Sequence, residues 1–357
     1  MLGSHLSIAG GMVNALTEAM RLQLDCVQVF TKNQRQWTAR PIPDDERTAW
    51  LEELARIGWD RLDDRRVVSH NSYLINMGSP DEEAWNRSCQ SQRIELERCE
   101  MLRIPLCVAH PGAHLDQGSR SPKTSPPSGV ITPGERAGLL RIVKALDRLH
   151  RELPAYRTIT LLETTAGSGT ALGFDFTHLA FIREHVRAPE RVGFCLDTCH
   201  IVAAGYDLST PAKAAAVWSE FDTCCGLRHV GALHVNDSVG ALGSRVDRHA
   251  HIGEGTCGRS CFQSVMNLPA FRDVPKILET PKGEDAKGRN LDQLNVGRLR
   301  RMITTGTATG TPTGTPTGTP AGTPTGTAAA PRTKAKSSGI AEHVRRSTRA
   351  STERRRS

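Results

Sequence analysis

The sequence predicts an α/β fold, specifically a (β/α)₈ TIM barrel, followed by a disordered C-terminal tail. Eight short apolar runs, typical of buried parallel strands, occur within roughly 300 residues. Longer amphipathic stretches with helical period lie between them, which is the pattern of repeated βα units. The turn after the first run has no G-x-G-x-x-G motif, so a doubly wound dinucleotide-binding sheet is disfavoured.

The predicted strands follow one another at intervals that leave room for one helix each. They are "LGSHLSI" (2–8), "CVQVFTKN" (26–33), "RVVSHNSY" (66–73), "LCVAHPG" (106–112), "TITLLETT" (158–165), "VGFCLDT" (192–198), "GALHVND" (231–237) and "KILETPK" (276–282). The clearest predicted helices are "DEEAWNRSCQSQRIELERCEML" (81–102) and "GERAGLLRIVKALDRLHREL" (134–153).

Positive charge is concentrated at the C-terminus. The chain has a net charge of +8, and residues 331–357 contain nine Lys or Arg against two Glu, which leaves only +1 for residues 1–330. Before this basic segment, Gly-Thr-Pro-Thr repeats between residues 306 and 326 offer almost nothing to bury. We therefore divide the chain into a barrel (1–303), a low-complexity linker (304–330) and a basic disordered tail (331–357). The tail is either a solvated end, a nonspecific phosphate-binding arm or a nuclear address.

The sequence contains no sign of a membrane segment or a secretory signal. No apolar run approaches the roughly 18 residues that cross a bilayer, and the N-terminus "MLGSHLSIAGG" lacks a basic stretch followed by an apolar one. We expect a monomer without membrane association, in the cytoplasm and near the nucleoid of a bacterium, or in a eukaryotic nucleus. The ten cysteines show no C-x-x-C spacing, so we expect reduced thiols, including those of "CLDTCH" (195–200).

Most of the predicted strands end in a side chain that can bind a metal. These residues are His5, His70, His110, Glu163, Asp197, His200, His234 and Glu279. A buried strand interior rejects such groups, whereas the C-terminal mouth of a barrel brings them together. One histidine at a strand end would be an ordinary hydrogen-bonded residue, but six or more strands ending in this way predict a shared site.

The loop after the seventh strand adds further candidates in "GSRVDRHAHIGEG" (243–255). Asp247 and His249 are two residues apart and share a face in extended chain, so together with His200 they can supply three ligands. His251 has the same spacing from His249, and a salt bridge to a neighbouring arginine is an alternative role for Asp247. Imidazoles mixed with carboxylates favour Zn²⁺ or Mn²⁺. The candidates outnumber the ligands of one ion, which predicts a multinuclear hydrolase of phosphate esters.

Several long polar blocks closely resemble bacterial-type endonuclease IV, a family of apurinic/apyrimidinic endonucleases of base-excision repair. The blocks are "FTKNQRQW", "SHNSYLINMGSP", "AHPGAHL", "LETTAGSG", "LDTCHIVAAGYD", "HVNDSVGALGSRVDRHAHIGEG" and "ILET". They cover roughly residues 1–300 in the family's order. The resemblance implies a xylose isomerase-like (β/α)₈ barrel that binds three zinc ions.

The resemblance also implies which residues bind each ion. The first zinc would be held by His70, His110 and Glu163, the second by Glu163 as a bridge, Asp197, His234 and Glu279, and the third by His200, Asp247 and His249. Glu163 and Glu279 are the expected catalytic residues. Cys195 and Cys199 become packing residues, and His251 becomes a candidate contact to a ligand or to the substrate.

The implied substrate is double-stranded DNA with an abasic or 3′-blocked site. Hydrolysis of the phosphodiester 5′ to the abasic sugar would leave a 3′-hydroxyl and a 5′-deoxyribose phosphate. Lys32, Asn33, Arg35 and Gln36 are the expected contacts to phosphates and the minor groove. Tyr73 and Leu74 are expected to enter the base stack as apolar wedges, although core packing is an alternative for both.

Two other functions fit parts of the sequence. A sugar isomerase with two divalent ions would explain the barrel and some carboxylates, and a non-catalytic DNA-binding protein would explain the tail. The isomerase explains poorly the third set of ligands and the "TKNQRQW" loop.

Residues 115–133 form a longer loop than the family needs, and we expect a flexible Pro/Ser-rich surface insertion there.

Overall fold

The computed structural model describes residues 1–61, 64–116 and 127–304. Eight parallel strands in this part of the chain form a closed barrel. The strands are β1 (Leu2–His5), β2 (Cys26–Phe30), β3 (Val67–His70), β4 (Leu106–Ala109), β5 (Ile159–Glu163), β6 (Val192–Asp197), β7 (Val230–His234) and β10 (Lys276–Leu278). Around the barrel they lie in the order β1-β10-β7-β6-β5-β4-β3-β2. All eight predicted strands are therefore confirmed, in the predicted order.

Helices follow the strands and cover the outside of the barrel. They are α1 (Val13–Arg21), α2 (Asp44–Arg56), α3 (Glu82–Met101), α4 (Pro133–Glu152), α5 (Phe176–His185), α6 (Thr198–Ala204), α7 (Pro211–Cys224), α8 (Arg259–Asn267) and α9 (Leu291–Arg300). The two helices predicted from periodicity correspond to α3 and α4. Thr132 begins α4 with a capping box, since its hydroxyl accepts from the Glu135 backbone and the Glu135 side chain accepts in return.

The hydrophobic core has two parts, one inside the barrel and one between the strands and the helices. The inner part consists of Val68, Leu106, Val108, Leu161, Cys195 and Ala232. This small apolar layer fills the lumen, so the barrel is a packed core rather than a pore. The charged side chains of Glu163 and Asp197 lie at the carboxyl ends of the strands, above this layer.

A short hairpin lies in the loop that follows β7. Its strands are β8 (Asp237–Ser238) and β9 (His249–Ala250), which pair antiparallel. The buried carboxylate of Asp237 holds the end of this loop, because it accepts hydrogen bonds from the backbone N–H groups of Gly253, Gly255 and Cys257. The loop that carries Asp247 and His249 is thereby attached to the carboxyl end of β7.

Several other expectations can be compared with this structure. All ten cysteines are free thiols, as expected. Among the residues described, no helix combines the length and the apolar character that a bilayer span requires. The basic tail, the linker beyond Thr304 and residues 117–126 of the expected surface insertion lie outside the described residues.

Candidate metal centre at the barrel mouth

Glu163 lies at the centre of the candidate site. It is the last residue of β5, and its side chain is fully buried. Its Oε2 atom is 3.2 Å from His70 Nε2 and 3.0 Å from His110 Nε2. The other oxygen, Oε1, is 2.8 Å from His234 Nδ1. One carboxylate therefore faces imidazoles from β3, from β7 and from the residue that follows β4.

Asp197 connects the end of β6 to the beginning of α6. Its Oδ1 atom accepts a hydrogen bond from the backbone N–H of His200 at 2.9 Å, so Asp197 is the N-cap of that helix. Its Oδ2 atom accepts from the Asn236 amide at 2.7 Å and lies 3.9 Å from His234 Nδ1. The capping geometry explains why the aspartate and histidine of "CLDTCH" both reach the site from a spacing of three residues.

Leaving aside two groups that include Cys195 or Cys199, three groups of histidines and carboxylates among the described residues come close enough to bind cations together. Within each group, one potential ligand atom per residue lies within 4.8 Å of the others. The groups are His70, His110 and Glu163; Glu163, Asp197, His234 and Glu279; and His200, Asp247 and His249. The structure therefore brings together all nine of the expected ligands, and Glu163 belongs to two groups.

The third group lies at the edge of the site. Asp247 Oδ1 is 3.0 Å from His200 Nε2 and 3.5 Å from His249 Nε2, and the Asp247 side chain is 47% exposed. His251 is directed elsewhere, since its Nδ1 atom is 3.0 Å from the Asn295 amide nitrogen of α9. Of the two histidines that spacing alone could not distinguish, the structure therefore places His249 in the cluster, as the resemblance implied.

Backbone carbonyl groups orient three of these imidazoles. The Nδ1 atom of His70 is 2.9 Å from the Asn71 carbonyl oxygen, and that of His200 is 2.8 Å from the Thr164 carbonyl oxygen. His249 Nδ1 lies 3.2 Å from the carbonyl oxygen of Glu279. When Nδ1 donates to a carbonyl, the lone pair is on Nε2, which in each ring faces the carboxylates.

Two of these inward-facing nitrogens are buried without a hydrogen-bond partner. They are His200 Nε2 and His249 Nε2. The 3.0 Å approach of Asp247 to His200 Nε2 is a close ionic contact that does not satisfy hydrogen-bond geometry. Buried polar atoms in native proteins almost always have a partner, so two orphaned nitrogens beside carboxylates fit a cation as the missing partner.

The electrostatics of the cluster also favour cations. Burial raises the pKa of the Glu163 carboxyl, but the charges of His234 and His110 outweigh burial and hold that pKa well below its usual value. Burial likewise opposes ionisation of Glu279, and His234 with His5 again lowers its pKa well below normal. Both carboxylates are therefore charged at neutral pH in a site removed from bulk water.

The two cysteines of "CLDTCH" are neutral thiols. Cys195 belongs to the apolar layer of the barrel interior, and burial raises its pKa to about 12. Burial also raises the pKa of Cys199 to about 12, and its Sγ lies 3.7 Å from the Arg248 carbonyl oxygen. Only the thiolate is a strong metal ligand, so imidazole and carboxylate groups dominate the centre.

The expected DNA contacts after β2 do not all lie on the surface. Asn33, Arg35 and Gln36 are exposed. Lys32, contrary to expectation, is buried: its Nζ atom is 3.3 Å from Glu95 Oε1 and donates to the Gln36 carbonyl at 2.8 Å. Its ammonium is held between Glu95 and the Gln36 carbonyl.

Tyr73 lies on the surface beside the site, whereas Leu74 is half-buried. The Tyr73 side chain is 59% exposed, and its ring centroid is 5.3 Å from that of His70 and 5.9 Å from that of His110. Core packing is therefore wrong for Tyr73. The ring also lines a cavity of about 760 Å³, together with Phe30 and Lys282.

Two buried amides of the site were not found from the sequence. Asn236 donates to Asp197 and accepts from the Glu279 backbone N–H at 2.8 Å, so it connects β6, β7 and β10. Gln28 contacts both His234 and Glu279. A polar residue in the middle of the apolar run "CVQVF" is the signal that could have identified Gln28.

Known proteins resemble this chain over the whole barrel. The family model of the xylose isomerase-like TIM barrel matches residues 16–298. A probable endonuclease 4 from Chloroflexus aurantiacus is 45% identical over 301 residues, which are 84% of this chain and 97% of that protein. The crystal structure of endonuclease IV from Thermus thermophilus has a TM-score of 0.69 and 32% identity, and the match covers 84% of this chain and 98% of that one. A D-tagatose 3-epimerase-like protein shares only the fold, with a TM-score of 0.59, 15% identity, and coverage of 84% and 96%.

Proposed function

This chain belongs to the endonuclease IV family and is a phosphodiester hydrolase of DNA repair, and we propose that it is a zinc-dependent enzyme that acts on abasic sites. It would hydrolyse the phosphodiester 5′ to an abasic sugar in duplex DNA, leaving a 3′-hydroxyl and a 5′-deoxyribose phosphate. Removal of 3′-blocking groups is the same chemistry at a strand end. The family is metal-dependent, and the identity and number of the ions are part of the proposal.

The observation that carries this proposal is the set of three residue groups at one barrel mouth. His70 with His110, Asp197 with His234 and Glu279, and His200 with Asp247 and His249 would each hold one ion, with Glu163 shared by the first two groups. The nine side chains include four carboxylates. Three divalent ions would outweigh those four negative charges and leave an excess of positive charge for a phosphodiester.

Zinc, when bound, supplies a Lewis acid that polarises the phosphate and makes water nucleophilic at neutral pH. The protein's own residues set the geometry. Glu163 is fixed between three imidazoles, so it would contribute to both the first and the second ion site. Glu279 would orient the attacking group, because its Oε1 atom is occupied by Gln28 while Oε2 faces His234.

The exposure of the cluster indicates where the scissile phosphate would approach. The side chains of Asp247 and His110 are 47% and 29% exposed, those of His249 and Glu279 are 17% and 11% exposed, and the other members are almost fully buried. Tyr73 stands beside His110 on this side. The substrate phosphate would therefore enter between Tyr73 and the third group, while the remaining residues keep bulk water away.

Selectivity for abasic DNA would come from the exposed loops around this entry. Asn33, Arg35 and Gln36 face solvent on one loop, and Tyr73 on the next. Ser72 donates a hydrogen bond of 2.6 Å to the Gln34 carbonyl, so the two loops form one surface. An aromatic wedge ejects the nucleotide whose stacking is weakest, and an abasic nucleotide has no base to stack.

The test is incision of a duplex that carries one defined abasic site. The full-length protein should cut 5′ to the lesion, a chelator should abolish cutting, and added zinc should restore it. An undamaged duplex of the same sequence and an aldose serve as controls. Isomerisation of the aldose without incision would favour the sugar-isomerase alternative and contradict the proposal.

We also propose that the basic tail beyond the linker strengthens binding through nonspecific phosphate contacts. Deleting residues 304–357 removes a net positive charge from the chain. Incision at saturating DNA should persist, and the salt dependence of DNA binding should become shallower because fewer phosphates are neutralised. Loss of turnover in the truncated protein would instead indicate that the tail leads the function.

A further inference from the structure

Gln28 occupies the middle of β2, is fully buried and directs its amide at the candidate metal centre. Its Oε1 atom is 2.8 Å from His234 Nε2. Its Nε2 atom is 2.7 Å from Glu279 Oε1 and 3.0 Å from His5 Nδ1. One side chain therefore contacts two members of the four-residue group that contains Glu163.

Hydrogen-bond chemistry fixes the orientation of this amide. A carboxylate can only accept, so the nitrogen of Gln28 faces Glu279 and the oxygen faces His234. The oxygen can only accept, so the Nε2 atom of His234 must carry a hydrogen. The other ring nitrogen, Nδ1, is then the one that faces Glu163 Oε1 at 2.8 Å and Glu279 Oε2 at 3.2 Å.

His234 differs in this respect from three other imidazoles of the site. His70, His200 and His249 are oriented by backbone carbonyl groups, which are present whatever the side chain. The corresponding partner of His234 is a side chain. Gln28 is therefore a point at which a single substitution can release a ring from the cluster.

We propose that Gln28 is a positioning residue that fixes the His234 ring and the Glu279 carboxylate so that both can bind the same ion. The proposal rests on the metal-dependent function proposed above. Partners of this kind set the tautomer and direction of a ligand, and their loss typically costs roughly 10- to 100-fold in metal affinity or activity. Gln28 would not touch the substrate, so its loss should leave DNA binding unchanged.

The decisive variant is Gln28→Met, which keeps an unbranched side chain of similar length but removes both amide contacts. The matched control is Gln92→Met, because Gln92 is also fully buried and its amide instead contacts the Asn71 side chain and Cys107. Both variants are made in the full-length chain and loaded with zinc. The measurements are zinc retained per chain against graded chelator, the visible spectrum of the Co²⁺-loaded protein, and kcat and KM on the abasic duplex.

For Gln28→Met we expect at least one zinc to be lost at roughly 10-fold lower chelator concentration, an altered Co²⁺ spectrum, and kcat lowered roughly 10- to 100-fold with unchanged KM. Gln92→Met should behave like the wild type. Gln28→Asn, which is too short to reach both partners, should change in the same direction and serves if Gln28→Met does not fold.

The outcomes separate this inference from the proposed function. If the wild type binds zinc and cuts, but both Gln28 variants retain metal and kcat as it does, the positioning role is wrong and the function stands. If the wild type itself binds no metal and cuts no abasic duplex, the proposed function fails first.

Discussion

At the amino-terminal end of β10, the buried ammonium of Lys276 donates to the carbonyl oxygens of Phe271 and Val274. At the carboxyl ends of the same barrel, buried nitrogens of His200 and His249 have no hydrogen-bond partner beside charged carboxylates. The charge of Lys276 is thus buried and satisfied within the protein. At the mouth, the unpartnered nitrogens stand beside carboxylates, which is the mark of a binding site rather than of a structural ion pair.

The largest effect on kcat should come from neutralising Glu163, the carboxylate at the mouth of the barrel that two residue groups share. Glu163→Gln keeps the shape of the side chain but removes the charge that faces three imidazoles. We expect kcat to fall by roughly 10³-fold or more, with a circular dichroism spectrum like that of the wild type. Glu279→Gln should act in the same direction. A variant that cuts abasic DNA at nearly the wild-type rate would show that the assigned cluster is not the reacting centre.

A substitution in the barrel interior should have the opposite effect: it should lower the free energy of unfolding and leave kcat unchanged. Leu161 is fully buried and fills the space beside Gly193 and Gly231, where a Cβ atom would lie 2.8 Å and 2.6 Å from Leu161 Cδ2. Because glycines cannot fill the void, Leu161→Ala should lower the free energy of unfolding by roughly 2–5 kcal/mol. Denaturant unfolding measures this, and zinc content and kcat of the folded fraction should stay unchanged. A loss of metal instead would couple the apolar layer to the site.

The buried ammonium of Lys276, at the amino-terminal end of the barrel, should make the stability of the protein depend on pH. Burial is the main cause that lowers the pKa of Lys276 from 10.5 to about 8, against the smaller opposing influence of Cys26 and Asp273. Between pH 8 and 10.5 the unfolded chain binds more protons at this group than the folded chain, so stability should rise with pH.

The variant Lys276→Met isolates this contribution. Relative to the variant, the wild type should gain up to roughly 3 kcal/mol in unfolding free energy as pH rises through that window. Denaturant unfolding of both proteins at several pH values gives the difference, in which other titrating groups cancel. Parallel curves would mean that the ammonium is not penalised by burial.

A smaller effect on kcat/KM is expected from removing a tyrosine at the mouth of the barrel, and no effect from removing one at the opposite end. Tyr73 stands at the mouth, while Tyr156 lies on the loop that leads into the amino-terminal end of β5. Tyr73→Ala should lower kcat/KM on abasic duplex by roughly 10- to 100-fold, because it removes an aromatic contact to the DNA. Tyr156→Ala should not change kcat/KM. Equal behaviour of the two variants would remove Tyr73 from the proposed recognition surface.

The sequence was sufficient for the fold and for the membership of the cluster. Parallel strands put their carboxyl ends at one rim, so residues such as His70, Glu163 and Asp197 could be placed together from their positions at strand ends alone. Spacing alone could not choose between His249 and His251. The family resemblance implied His249, and in the structure His249 joins the cluster while His251 contacts Asn295.

Residues that act through a partner were harder to predict. Lys32 looked like a phosphate contact because it precedes an exposed polar loop, yet Glu95 of α3 draws its ammonium inward. Gln28 and Asn236 looked like isolated polar residues, and their roles depend on which atoms of distant strands lie within hydrogen-bond distance. No periodicity or spacing encodes such pairings, which arise only when the barrel closes.

The central claim is that the barrel mouth is built to hold several cations. Elemental analysis of the full-length protein, after removal of loosely bound metal, tests it most directly. We predict close to three zinc ions per chain, released by a strong chelator together with the incision activity. A count of zero or one in protein that cuts abasic DNA would contradict the account.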